Sequence, residues 1–152
     1  MPYTTTDARQ GLLDTVASAI ERLGLALAAL GEAYEQLDEP TGERLERELF
    51  GPVQRAYGRA QRTYTSFAGR YELTGRAFAP APAAAPSTGA HGLIDSATQA
   101  VSDADAIIAE LQDSLAPVEV GDPELRDGLR EVRELLAPLG LSSRQLVRTL
   151  GR

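Results

Sequence analysis

The sequence predicts an all-α protein. The architecture expected is an antiparallel four-helix bundle with a long N-terminal helical hairpin, a Pro/Ala-rich crossover, and a fourth wall made of two short helices. Three observations predict it. Apolar residues recur in alternating steps of three and four along most of the chain, the signature of helices with a buried seam. Phe50, Tyr57, Tyr64, Tyr71 and Phe78 stand seven positions apart, close to two helical turns, so they share one stripe. Ala17, Gly24 and Gly31 repeat at the same interval in the preceding segment. A hairpin pairs Gly31 with Phe50, Gly24 with Tyr57 and Ala17 with Tyr64, rings against notches. Its centre then falls between Pro40 and Thr41, inside the turn Asp38-Glu39-Pro40-Thr41-Gly42. A glycine inside a helix costs about 1 kcal/mol relative to alanine, so ring packing would offset it. Period-two alternation, the mark of a strand, is absent.

Helix 1 is expected over residues 6–38. Thr6 and Asp7 open it as cap and acidic first turn, and its seam is Leu13, Val16, Ile20, Leu23, Leu27, Leu30, Tyr34 and Leu37. Pro40 is expected to end it. Helix 2 is expected over 42–77, capped by Thr41 and kinked near 51–52, where Pro52 removes a donor and crowds the preceding turn. Beyond the kink its seam is Phe50, Val53, Tyr57, Ala60, Tyr64, Phe67 and Tyr71, with Arg55, Arg62 and Arg76 facing outward. Residues 79–92, rich in alanine with Pro80, Pro82 and Pro86, read as an extended crossover. Helix 3 is expected over 93–116 and stopped by Pro117. It carries Asp95, Asp103, Asp105, Glu110 and Asp113 and no arginine. Asp122-Pro123 starts helix 4, over 123–137, by the rule that Asp caps and Pro fits the first helical position. Ser142 or Ser143 is expected to cap a last helix over 142–150. The whole of 1–152 reads as one domain.

Composition excludes several classes of function. With no cysteine there is no disulfide, thiolate metal site or cysteine nucleophile. Lysine, asparagine and tryptophan are also missing, and all 15 basic residues are arginine. That pattern fits a GC-rich bacterial or phage genome. A net charge of −7 argues against nonspecific binding to nucleic acid or anionic membranes. No apolar run approaches the roughly 18 residues of a membrane span. The N-terminus lacks the basic and apolar regions of a signal peptide, so a cytoplasmic protein is expected, with non-classical export the other route.

Candidate chemistry is correspondingly thin. The single histidine, His91, falls in the crossover. Di-iron bundle patterns and a Ser/His/Asp triad with its nucleophile elbow are therefore not expected. No metal, cofactor or catalytic residue is expected, and a phosphate loop has no strand to precede it. The tyrosine stripe is the feature that reaches beyond packing, because buried hydroxyls need partners. Tyr57, Tyr64, Phe67 and Tyr71 are therefore candidates for lining a groove that takes a partner helix or a small hydrophobic ligand. The last helix sets Leu146, Val147 and Leu150 on one side and Arg144, Arg148 and Arg152 on the other, the form of a docking element. The function expected is a non-enzymatic interaction or scaffold protein that associates with itself or another protein. A hydrophobic-ligand carrier is one alternative; a secreted or packaged cargo addressed by residues 141–152 is another.

Overall fold

The structure, a computed structural model, describes residues 4–79 and 89–150 and is all-helical over them apart from turns and short extended segments. The helices are α1 (Thr5–Glu35), α2 (Glu39–Leu45), a π-helical turn (Glu46–Phe50), α3 (Gly51–Arg70), α4 (Ala90–Asp113), α5 (Ala116–Glu119), α6 (Pro123–Leu136) and α7 (Leu139–Leu150). Most of the crossover, residues 80–88, lies outside the described residues. No described helix is long and apolar enough to cross a membrane.

Local chemistry sets the helix starts, and it moves several expected boundaries. Thr4, rather than Thr6, caps α1. Its hydroxyl accepts from Asp7 N–H at 3.0 Å, and the Asp7 carboxylate accepts from Thr4 N–H at 3.1 Å. This reciprocal box needs the acid at the third helical position, which fixes the cap at Thr4. Asp38 caps α2 through Thr41 N–H at 2.9 Å. Pro40 therefore sits in the first turn of α2, where its missing N–H would have no partner anyway, and does not terminate α1. Asp122 caps α6 as expected, accepting from Leu125 N–H at 2.8 Å. His91 and Gly92 belong to the first turn of α4 rather than to the crossover, and His91 Nε2 lies 3.4 Å from Asp95. Pro117 does not merely stop the preceding helix: it opens the short α5. The last helix begins at Leu139, before either serine; Ser143 is buried and donates to the Gly140 carbonyl.

Pro52 does not break the second limb of the hairpin. The chain absorbs it as a π turn, in which Gly51 N–H bonds the Glu46 carbonyl. The wider loop relieves the crowding that proline imposes on the turn before it. Past the turn α3 runs to Arg70 and stops seven residues short of the expected end. There Glu72 takes a left-handed conformation (φ 52°), and Leu73 N–H reaches back to the Ala68 carbonyl at 2.9 Å. This is a Schellman stop with glutamate where glycine is normally found. Replacing Glu72 with glycine is expected to raise stability by up to about 1 kcal/mol, because the left-handed penalty exceeds glycine's entropic cost. A urea titration checks it, and a lower midpoint would contradict the cap.

The chain then doubles back as an extended segment along the groove between α1 and α3. Gln10 clasps Thr74 twice, its amide donating to the Thr74 carbonyl at 2.9 Å and accepting from Thr74 N–H at 3.0 Å. Arg76 pairs with Glu21, and Phe78 packs edge-on against Tyr64 with ring centroids 5.1 Å apart. Tyr71 and Phe78 are thus beyond the helix, although both keep their place beside the aromatic stripe.

α1 packs most extensively on α4, and α3 on α6. Ala8 and Leu12 lie beside Leu111 and Ala116, whereas Arg22 and Ala29 lie beside Ser96 and Asp103, so α1 and α4 run in opposite directions. The surface that α1 turns to the interior includes Leu12, Ala19, Ala26 and Ala33, spaced seven apart and all but excluded from solvent. Small side chains let a neighbouring helix approach closely. α7 rests on α4 and on the π turn. One continuous apolar core joins these elements, and no buried side-chain nitrogen or oxygen among the described residues lacks a hydrogen-bond partner.

Candidate functional site

Tyr57, Tyr64, Phe67 and Tyr71 do not line a common groove. Tyr64 and Phe67 are buried in the core. The Tyr64 hydroxyl accepts from Arg76 N–H at 3.2 Å, so the return segment satisfies it. Tyr71 packs on Phe67, with centroids 4.9 Å apart, and donates its hydroxyl proton to Asp122 at 2.9 Å. The Arg9 guanidinium covers the Tyr71 ring 3.9 Å from its centre. Tyr57 opens to a cavity. The pairing with Gly24 places the Tyr57 ring 3.5 Å from where a Cβ would stand on that glycine.

The cavity at Tyr57 has a volume of about 360 Å3, and Gly24, Leu27, Phe50 and Phe78 contribute to its walls. A second, of about 280 Å3, lies further along the hairpin between Gly31, Tyr34, Glu35, Glu46 and Phe50. Phe50 lines both, and each sets aromatic rings beside a glycine of α1. The expected ring-into-notch packing holds at Gly24 but not at Gly31, where an added Cβ would meet nothing within 4 Å. Tyr34 is the residue that the heptad seam misplaced. It is 43 % exposed, because its ring leans across the turn onto Gly42, 3.2 Å from the position of a Cβ there. A seam position two residues from a helix end gains a partner only if the turn delivers one, and this turn delivers a glycine. Glu35, Glu46 and Phe78 likewise carried no signal of a site in the sequence.

The last helix spends its central anchor inside the molecule. Leu146 is fully buried, Val147 and Leu150 are half-buried against the core, and Arg144 and Arg148 are exposed. Docking through Leu146 would require α7 to leave the core; Arg152 lies outside the described residues.

Charge is arranged by helix. α3 carries arginines and no acid, whereas α4 carries acids and no arginine. They do not neutralise one another within the chain. Instead α6 serves both: Arg59 pairs with Glu131, Arg70 with Asp122 and Glu124, and Arg133 with Asp105. Partial burial alone would raise the Asp122 carboxyl. Hydrogen bonds from Arg70, Leu125 N–H and Tyr71 outweigh that and hold it below the usual carboxylate range.

No family model matches the chain, and no curated protein or solved structure is significantly similar to it. Any functional reading therefore rests on this geometry.

Proposed function

We propose that the chain is an antiparallel four-helix bundle, its corners formed by α1, the α2–α3 limb, α4, and the α6–α7 pair, acting as a non-enzymatic protein–protein interaction or scaffold module that associates with itself. The observation that carries the reading is the pair of aromatic-lined cavities on the hairpin. Phe50, Tyr57, Phe78 and Tyr34 present rings there beside glycines, and aromatic residues are the side chains most enriched at contact hot spots. The segregation of arginine on α3 and carboxylate on α4 adds a second, weaker support, since unlike faces of two copies attract. Absolute mass by light scattering over a concentration series tests the reading. A species larger than the 16.2 kDa chain, reduced by Tyr57→Ala, is expected. A constant monomer mass would remove self-association.

The cavity at Tyr57 also favours a second reading, in which it holds a small hydrophobic ligand against Tyr57, Phe50 and Phe78. A solvatochromic apolar dye would then bind the monomer and lose affinity in Tyr57→Ala.

A further inference from the structure

We propose that the cavity beside Gly31 receives an arginine side chain presented by a protein partner. This rests on the interaction reading above and names the chemistry of its contact.

The floor is the first observation. Gly31 lies inside α1, where glycine is the costly choice. Among the described residues nothing uses the space it leaves, since a Cβ there would have no neighbour within 4 Å. Its counterpart Gly24 is explained by the Tyr57 ring; Gly31 has no such explanation from packing. The walls are the second observation. Tyr34 and Phe50 line the same space as Gly31. Both are positioned: Tyr34 leans on Gly42, and Phe50 closes the π turn. Such turns concentrate at functional sites.

The charge of the site selects its occupant. Glu35 and Glu46 share this cavity with the two rings, and among the described residues neither forms an ion pair. Two uncompensated carboxylates beside aromatic rings fit a flat cation. A guanidinium stacks on rings and bonds carboxylates with its edge at the same time, which an ammonium does less well. An anionic or purely apolar occupant would leave both carboxylates unanswered. The space, about 280 Å3, lies at the surface beside the half-exposed Tyr34. It suits a side chain arriving on a polypeptide better than a ligand that must be enclosed, for which sites bury most of the molecule.

The test uses the intact protein, labelled with 15N, and two capped pentapeptides that differ only in a central arginine or its neutral isostere citrulline. The arginine peptide is expected to shift the amide signals of Gly31, Glu35 and Glu46 and to bind about tenfold more tightly than the citrulline peptide, the scale of one desolvated cation–π or charged contact. The double variant Glu35→Gln/Glu46→Gln should lose that preference while keeping the wild-type thermal midpoint, since both carboxylates are on the surface. Tyr34→Leu should weaken binding similarly. Equal binding of the two peptides, no binding of either, or a preference that survives the double variant would overturn the proposal. Methylguanidine binding as tightly as the peptide would overturn the assignment to a protein partner. Mass measured on the same samples reads the self-association proposal separately. A monomer that prefers arginine fails that reading and leaves this one standing; an oligomer indifferent to peptide charge does the reverse.

Discussion

Gly128→Ala is expected to lower the stability of the protein by about 2 kcal/mol, even though alanine favours a helix interior by about 1 kcal/mol over glycine. Gly128 lies buried in α6, directly against Thr63 of α3. A Cβ placed on it would collide with Thr63 Oγ1 and stand 2.8 Å from Cγ2 and 3.0 Å from Cβ. Rotating the threonine does not clear the site, because its own Cβ is already too close. The hydroxyl is also engaged, donating to the Arg59 carbonyl at 2.9 Å and accepting from Arg59 Nη1 at 3.0 Å. The two helices must therefore separate. Thr63→Ala in the same background removes Oγ1 and Cγ2, the two closest atoms, and keeps the 3.0 Å contact of Cβ, so it should recover part of the loss and the denaturation midpoints of the four proteins should show coupling. Additive effects would mean that α3 and α6 do not meet here.

Asp122→Ala is expected to cost more, about 3 kcal/mol, because one carboxylate performs three tasks. It caps α6 through Leu125 N–H. It receives Arg70 Nε and Nη2 at 2.7 and 2.9 Å, and the Tyr71 hydroxyl at 2.9 Å. The loss removes the cap and leaves the half-buried Tyr71 hydroxyl unbonded. The same carboxylate gives a pH signature. Its folded-state value is depressed relative to an unfolded value of about 4. Its stabilisation is therefore present in full above about pH 4 and disappears as pH falls through the lower folded-state value. Urea midpoints of wild type and variant should differ most near neutrality and converge in acid. A gap that widened on acidification would contradict the assignment.

The parts of the fold governed by local rules were legible in the residues. Asp122-Pro123 starts a helix whatever surrounds it, and the seven-residue spacing of rings and glycines correctly set Tyr57 against Gly24. What escaped depended on distant partners. Nothing around Glu72 announces a helix end, since the next glycine after it comes three residues later. The stop is held by Gln10 and Tyr64, which only the folded chain brings to the return segment. The buried alanine stripe of α1 carries no comparable signal, because Ala19, Ala26 and Ala33 read as ordinary helix formers, not as a seam. The surroundings of the candidate site residues depend on distant partners in the same way. Tyr64 and Tyr71 looked available as polar rings, but Arg76 and Asp122 had already claimed their hydroxyls, whereas Tyr34 looked buried and is not.

The packing of α1 on α4 has a consequence for biosynthesis. Arg9 at the start of α1 donates to the Val120 carbonyl, 111 residues further on. At about 5–20 residues per second, α1 is complete roughly 4 to 16 s before the last turn of α4 is translated. The hairpin limb can cover one side of α1 early, but the side meant for α4 must wait. The interior surface of α1 includes Leu12 followed by Ala19, Ala26 and Ala33 at seven-residue steps. Along that stripe most side chains are single methyl groups, so it adds little to the apolar area that the waiting helix shows to other nascent chains.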